Sequence, residues 1–158
     1  ICSFPRFCEP NPVPEHPDSL AEAAALTTDP DLPELPTAVG FCMYLRRAAL
    51  RQLGGFDAAT FGRGYGEEND FCLRAAAMGW RNVLCDAAYV VHQGGASFGP
   101  LDIAPNGDNL ARLLARWPDY NERVARFIMA DPLRPLRARL QEKIEELARS
   151  GPQRDLFG

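Results

Sequence analysis

Residues 61–80, FGRGYGEENDFCLRAAAMGW, place three acids where a glycine-rich loop runs into an apolar helical pattern. The acids are Glu67, Glu68 and Asp70, and like charges this close together on a helix repel one another. A helix N-terminus offsets that repulsion, because its unpaired N–H groups carry a partial positive charge. Asp70 also precedes Arg74 by four residues, a spacing that allows an ion pair on the helix surface. On spacing alone, the acids are accounted for as groups that stabilise the start of a helix.

The same acids also suit a binding or catalytic site. Three glycines within residues 62–66 let the loop approach a ligand closely, and Tyr65 offers a ring for stacking. Glu67 and Asp70 share one helix face, whereas Glu68 points about 100° further around the helix. One carboxylate can therefore anchor the helix while another faces a cleft, and a carboxylate held there is usable as a general base. The residues alone leave both interpretations open.

Composition bounds the function classes. The chain has 158 residues, which suits one domain, and its net charge is −4 without a long basic run. Nucleic acid is therefore not expected as a partner, because phosphate binding requires clustered Lys and Arg. No apolar run approaches the ~20 residues that a membrane-spanning helix needs. The first residues lack both Met and a signal-peptide pattern, so we expect this sequence to lie inside a longer polypeptide.

The five cysteines favour a reducing compartment. Their number is odd, and Cys42, Cys72 and Cys85 lie in apolar contexts where a free Cys behaves as a small buried hydrophobe. We therefore expect free thiols in a cytoplasmic protein. Cys2 and Cys8 could instead form a local disulfide or bind metal, although no CxxC spacing supports zinc.

The hydrophobic pattern predicts a mixture of strands and helices after a proline-rich start. Apolar runs predict strands at 38–46, 81–85 and 87–92. Amphipathic spacing and capping residues predict helices at 18–26, 46–54, 66–78, 106–117, 118–130 and 131–150. The last helix carries an apolar stripe that suits packing on its own domain, and it is short for a coiled coil.

His92 is the second candidate site residue, because it lies at the end of a predicted strand and directly before Gly94 and Gly95 in HQGG. A histidine there can be a metal ligand, a base or a phosphate contact, although a single His is more often structural. Ser97 and the two glycines can supply a hydroxyl and backbone donors to a phosphate.

Three blocks together resemble the C-terminal half of inverting family-2 glycosyltransferases of the GT-A fold. They are GFCMYLRRAALRQLGGFD, GYGEENDFCLRAAAMGW and YVVHQGGASFG, in the order and spacing of that family. The blocks cover about residues 37–100, and the nearest likeness is to rhamnosyltransferase-like enzymes of bacterial cell-surface polysaccharides. The resemblance implies a partial, Rossmann-like α/β fragment with three layers and a small mixed sheet. It divides the chain into a proline-rich irregular arm (1–37), an acceptor and catalytic half (38–105) and a helical C-terminal extension (106–158).

The resemblance also implies a role for each residue of the acid motif. The family's Glu-Asp-x-Asp motif falls on residues 67–70, so Glu68 takes the position of the catalytic base, with Glu where Asp is commoner. Glu67 would bind acceptor hydroxyls, and Asp70 would orient the helix and loop. Tyr65 and Gly66 complete the acceptor-binding set.

On the donor side, the resemblance places His92 at a divalent metal site, for Mg or Mn, beside the donor diphosphate. Ser97, Gly94 and Gly95 lie in the loop that can touch the phosphates. The family's nucleotide-binding half and its Asp-x-Asp strand should precede residue 1, and DPD at 29–31 is a poor substitute. We therefore expect a truncated glycosyltransferase that is inactive as the isolated chain.

The implied partners are a nucleotide-sugar donor and a glycan acceptor. The longer protein would be cytoplasmic, with peripheral association at the inner face of the membrane. An uncovered sheet edge and apolar face in a half-domain would favour a homodimer. Two alternatives stay open: a non-catalytic carbohydrate- or protein-binding module on the same scaffold, and a metal-dependent hydrolase built on His92 and the acids. The hydrolase lacks a second His at ligand spacing.

Overall fold

A computed structural model describes residues 3–27, 31–62, 65–92 and 107–150. Within these ranges the secondary structure is helical, and 53% of the residues lie in helices. The helices are α1 (Pro17–Ala25), α2 (Arg47–Leu53), α3 (Ala58–Phe61), α4 (Glu67–Ala77), α5 (Gly107–Arg116), α6 (Tyr120–Ala130) and α7 (Arg134–Ser150). None of the helices in these ranges is long and apolar enough to cross a membrane.

The predicted α/β fold with a small mixed sheet is wrong for the described residues, which contain no strand. The apolar run at 38–46 forms turns and extended loop, and Val39, Phe41 and Tyr44 are exposed instead of buried. The run at 81–85 makes a single antiparallel bridge, between Val83 and Glu34. A short apolar run becomes a strand only where another strand satisfies its backbone groups, and the described residues offer none.

The helix predictions are confirmed, and glycines set several of the boundaries. Gly54 follows α2 with a φ of 75°, and Gly79 follows the end of α4 with a φ of 83°. Both values lie in the left-handed region that glycine adopts without a steric penalty, so the helices end there. Helix α3 was not predicted. It begins where the Asp57 carboxylate accepts a hydrogen bond from the Thr60 N–H at 3.0 Å.

The chain forms two compact units, and the acids of α4 belong to the larger one, Glu34–Leu84 with His92–Asp131. Its buried core joins Phe61 of α3, Leu73 of α4 and Leu113 of α5, with Trp117 and Tyr120 packed against them. This core fixes α4 against the helices on either side of it in sequence.

The other unit combines Ile1–Pro33, Cys85–Val91 and Pro132–Gly158. In it α7 packs against α1, as expected for a helix with an apolar stripe. The Arg137 guanidinium lies 4.5 Å from the centre of the Phe7 ring, a cation–π contact. The predicted domain boundaries at residues 38 and 106 stay a prediction.

The described cysteines, Cys8, Cys42, Cys72 and Cys85, are free thiols, and Cys72 alone among them is buried. The alternative pairing of Cys2 with Cys8 lies outside the described residues, because Cys2 is not among them.

Candidate functional site

The acids occupy the first turn of α4, as predicted from the sequence. Gly66 is the N-cap residue, with φ 115° and ψ −23°, and Glu67 and Glu68 are the first two helical residues. Gly66 is buried against Phe61, whose ring would lie 3.2 Å from a Cβ placed on that glycine. A side chain at this position would therefore meet both a strained backbone and a crowded ring.

Asp70 is the structural anchor of the acid cluster, and its side chain is 0% exposed. Its Oδ2 accepts a hydrogen bond from Arg74 Nε at 2.8 Å, which is the predicted i, i+4 pair. Its Oδ1 accepts from Arg116 Nη1 at 2.9 Å and from Trp117 Nε1 at 3.0 Å. Burial acts to raise the pKa of Asp70, but the hydrogen bonds from Trp117, Arg74 and Arg116 together hold it below its usual range. The carboxylate therefore stays charged in the core.

Both arginines extend this network to neighbouring elements. Arg74 donates to the carbonyl oxygens of Leu53 and Gly55 at 2.8 and 2.9 Å, which ties α4 to the end of α2. Arg116 also donates to Asp57 Oδ2 at 3.0 Å. Hydrogen bonds from Thr60, and then from Arg116, lower the pKa of Asp57 to about 2. We call these residues the Asp70 network: Asp57, Asp70, Arg74, Arg116 and Trp117.

Glu67 has a different environment from Asp70. Its Oε2 is buried, and no described residue offers it a hydrogen bond. Burial raises the pKa of Glu67, a hydrogen bond from its own backbone N–H acts in the opposite direction, and the neighbouring charge of Glu68 adds to the increase. A carboxyl group with a raised pKa holds its proton to a higher pH than an ordinary Glu does.

Glu68 is half-buried and is oriented by the backbone. Its Oε2 accepts a hydrogen bond from the Gly66 N–H at 3.1 Å, and it has no ion pair within the described part of the chain. Its side chain lies against Gly40, where an added Cβ would be 3.8 Å from Glu68 Cβ and Cγ. The carboxylate is therefore held in place but keeps lone pairs for another donor.

Residues 37–41, called here the strap, run across the face of α4 that carries Glu68 and Cys72. The Ala38 N–H donates to Cys72 Sγ at 3.3 Å, and Gly40 packs against the Glu68 side chain. Burial raises the pKa of the Cys72 thiol and of the Tyr120 hydroxyl, and the charge of Glu68 adds to both increases.

His92 lies beside the strap. Its exposed ring stacks on Phe41, with 4.2 Å between ring centres and 5° between ring planes. Among the described residues no group of three or more His, Cys, Asp or Glu side chains is arranged to hold a metal ion. Gly94, Gly95 and Ser97, which were predicted to bind phosphate, lie outside the described residues.

Tyr65 directly precedes the N-cap of α4 and is half-buried, with a positive φ of 60°. This conformation is uncommon for a residue with a side chain. It belongs to the turn that leads into the N-cap residue Gly66. The structure therefore brings Tyr65, Gly66, Glu67, Glu68 and Asp70 together at one end of α4.

Sequence reasoning missed the residues that contact the acids from elsewhere in the chain. Arg116 and Trp117 are 46 and 47 residues from Asp70, and Gly40 is 28 residues from Glu68. Local sequence patterns do not predict contacts between residues this far apart in the chain. The one available signal was a charged residue and a tryptophan at the end of the amphipathic pattern of α5, where a helix end meets its neighbours.

Comparisons of the chain with protein-family models, with curated proteins and with solved structures find no match.

Proposed function

We propose that this chain supplies the acceptor side of an inverting glycosyltransferase that uses a nucleotide sugar and extends a glycan or cell-surface polysaccharide. The observation that carries the proposal is that the three acids differ in their burial and in their hydrogen-bond partners. Asp70 is fully bonded in the core, whereas the Glu68 carboxylate is oriented by one backbone N–H and has no ion pair with a described residue. The ordered sequence blocks around Gly40, Glu68 and His92 support the same class.

In the proposed reaction Glu68 acts as the general base. A hydroxyl of the acceptor donates its proton to the Glu68 carboxylate as its oxygen attacks the anomeric carbon of the donor sugar. The bond from that carbon to the nucleoside diphosphate breaks on the opposite face, so the anomeric configuration inverts. The proton on Glu68 then passes to water, which restores the base.

Glu67 has the supporting role of binding the acceptor. Glu67 lies in the same first helical turn as Glu68, so its carboxyl group is placed to accept a hydrogen bond from a second acceptor hydroxyl. The raised pKa of Glu67 favours its protonated form more than in an ordinary Glu, which lessens its repulsion of Glu68. The Asp70 network holds the helix start that presents both residues.

No step of the proposed reaction, as described, involves a metal ion. The resemblance implies Mg or Mn beside the donor diphosphate with His92 as a ligand, but no group of three or more His, Cys, Asp or Glu side chains among the described residues is arranged to hold a metal ion. The metal and the phosphate contacts of Gly94, Gly95 and Ser97 stay predictions.

The test is a transfer assay with a panel of UDP-, dTDP- and GDP-sugars and simple aryl glycosides as acceptors. It uses the 158-residue chain and also the longest natural open reading frame that contains it. We expect the longer form to release nucleoside diphosphate together with a new glycoside of inverted configuration, detected by mass spectrometry and NMR, and the 158-residue chain alone to show no transfer. Absence of transfer by both forms with every donor, or retention of configuration, would contradict the proposal.

One observation favours a second candidate, a non-catalytic binding module. The described residues contain no sheet, and open α/β enzymes bind nucleotides at the carboxyl ends of sheet strands. Saturable binding of a glycan without any effect of nucleotide, together with no transfer, would favour this candidate over the enzyme.

A further inference from the structure

Residues 35–56 differ from the rest of the chain in charge. They contain three arginines, Arg46, Arg47 and Arg51, and no Asp or Glu, so all 21 acids of the chain lie elsewhere. We call this range the acid-free segment. It is positively charged in a chain whose net charge is −4, and it belongs entirely to the larger compact unit. An anionic partner is therefore attracted to this segment and repelled by the net charge of the remaining chain.

The three arginines are exposed, and none has an ion pair with another residue of the ranges 3–27, 31–62, 65–92 and 107–150. Arg47 and Arg51 are four residues apart in α2, a spacing at which like charges on a helix repel each other. The Arg46 guanidinium lies 5.8 Å from the centre of the Trp80 ring, a contact that leaves its charge without a counter-ion. Folding of the described residues thus leaves three positive charges available to a partner.

The same segment exposes large apolar side chains. Tyr44 is 92% exposed, and Val39 and Phe41 are each 51% exposed. Tyr44 precedes Arg46 by two residues, and an extended chain spans at most about 3.6 Å per residue, so their Cα atoms lie within about 7 Å of each other. Leaving these side chains in water forgoes the free energy of their burial. The segment therefore presents apolar groups and unpaired cations together.

The surface of an anionic bilayer suits both kinds of group, whereas a nucleic acid suits one. A nucleic acid would offer phosphates to the arginines, but three phosphate contacts bind weakly at physiological salt and leave Val39 in water. A bilayer offers lipid phosphates to cations and, directly beneath them, an apolar region to tyrosine and aliphatic side chains. Purely electrostatic lipid binding uses about four to eight basic residues, so with three arginines the apolar contacts are also needed.

We infer that the acid-free segment is a docking surface for an anionic lipid bilayer. Arg47 and Arg51 lie at the level of the lipid phosphates, and Tyr44 and Val39 insert among the first carbons of the acyl chains. The attachment is peripheral and reversible, because salt screens the attraction between arginines and lipid. The inference does not rest on the proposed function, since lipid binding requires no sugar transfer.

The first test is flotation of the 158-residue chain with vesicles of phosphatidylcholine alone and of phosphatidylcholine mixed with phosphatidylglycerol. We expect at least tenfold stronger binding to the anionic vesicles in low salt, about 0.05 M NaCl, because each basic residue near an anionic surface adds to the attraction. Most of that difference should disappear in about 0.5 M NaCl. Equal binding to both kinds of vesicle would overturn the inference.

Substitution of two arginines tests the electrostatic part. The double variant Arg47→Gln, Arg51→Gln should bind anionic vesicles at least tenfold more weakly than wild type. The matched control is the double variant Arg123→Gln, Arg126→Gln, which lowers the net charge by the same amount but removes arginines that each pair with an acid four residues earlier. It should stay within threefold of wild type. Equal weakening by the two double variants would show that binding follows net charge alone and would contradict a specific surface.

Substitution of Tyr44 tests the apolar part. Tyr44→Ser should weaken binding to anionic vesicles at least threefold, and Tyr44→Trp should preserve it, because both aromatic residues suit the membrane interface. The matched control is Met129→Ser, which removes another highly exposed apolar side chain of the same unit and should leave binding within twofold. Unchanged binding in Tyr44→Ser would remove the apolar contact from the account. Far-ultraviolet circular dichroism of each variant shows that its fold is retained.

Other partners give different outcomes. Tighter binding of a short oligonucleotide than of anionic vesicles would overturn the inference in favour of nucleic acid. Self-association that requires Tyr44, measured by analytical ultracentrifugation in the absence of vesicle binding, would assign the surface to a second copy of the chain. Sugar transfer by the longer form without vesicle binding would remove this inference and leave the proposed function, and vesicle binding without transfer would do the reverse.

Discussion

At the scale of single residues, the three acids at the start of α4 differ in how their oxygens are used. Asp70 has both oxygens bonded in the core, Glu68 has one oxygen on the Gly66 N–H, and Glu67 has a buried oxygen that no described residue bonds. Judged by helix position alone, all three acids carry a negative charge that the positive end of the helix dipole stabilises. Burial and partners separate them into a buried anchor, a carboxylate held by one backbone N–H, and a carboxyl group whose pKa is raised.

Glu67→Gln is expected to stabilise the chain at neutral pH. The pKa of Glu67 is raised in the folded state, so the folded chain binds a proton more readily than the unfolded chain does. The contribution of Glu67 to stability is therefore most favourable below its unfolded pKa and is lost as pH rises through its folded pKa. Urea unfolding should show a higher free energy of unfolding for the variant than for wild type at pH 8, and a smaller difference at pH 4.

Glu67→Ala is the matched comparison, because it removes the charge and the side chain together. Equal stability of wild type and Glu67→Gln at both pH values would show that the Glu67 carboxylate is not desolvated.

Asp57→Asn is expected to reduce the decrease in folding stability that occurs as the pH falls. Because the pKa of Asp57 is lowered to about 2, its contribution is fully present above the unfolded value of 3.8 and is lost as pH falls toward 2. Asn can still cap α3 but does not titrate, so the variant should show a shallower fall between pH 4 and 2. Thermal unfolding across this range measures the slope, and an unchanged slope would contradict the assignment.

At the scale of elements, the Asp70 network joins α2, α3, α4 and α5 through one buried carboxylate. A buried charge is costly unless it is paired, so the network constrains where these helices lie. The constraint matters for the site because α4 carries Glu67 and Glu68 within one turn of Asp70.

Arg116→Ala is expected to destabilise the chain by about 2 kcal/mol, since it removes charge-assisted hydrogen bonds to Asp70 and Asp57. Arg74 and Trp117 still pair with Asp70, which keeps the loss below that of a fully unpaired buried charge. Chemical denaturation followed by far-ultraviolet circular dichroism measures the change.

The matched control is Arg126→Ala on α6. Its pair with Glu122 is highly exposed, so the loss should be about 0.5 kcal/mol or less. Equal effects of the two substitutions would show that the Asp70 network does not organise the helices.

Much of the helical structure could be predicted from sequence, because each signal is local. The glycines after α2 and α4 and the 3.6-residue periods of α5, α6 and α7 appear within short windows. The predicted i, i+4 pair of Asp70 and Arg74 is also present, although it is buried instead of on the surface. The predicted strand at 38–46 is wrong, because a short apolar run does not specify a second strand to pair with. The run instead contributes to the strap and leaves Phe41 exposed.

At the scale of the whole molecule, the chain is two compact units, and the acids and the strap belong to the same one. The described residues contain no sheet, so they offer no open sheet edge through which a homodimer could form. Dimer formation stays a prediction. Arg116, Trp117 and Gly40 contact the acids across long stretches of chain, which is why the sequence indicated the acid residues but not their surroundings.

The central claim is that the Glu68 carboxylate removes the acceptor proton, and the most direct measurement is single-turnover transfer by Glu68→Gln in the form of the protein that shows activity. Glutamine keeps the size of the side chain but cannot accept the proton, so the rate should fall by about 10²- to 10⁴-fold while donor binding is unchanged. Glu68→Asp should retain part of the rate, because it keeps a base one methylene closer to the backbone. A Glu68→Gln rate within threefold of wild type would contradict the account.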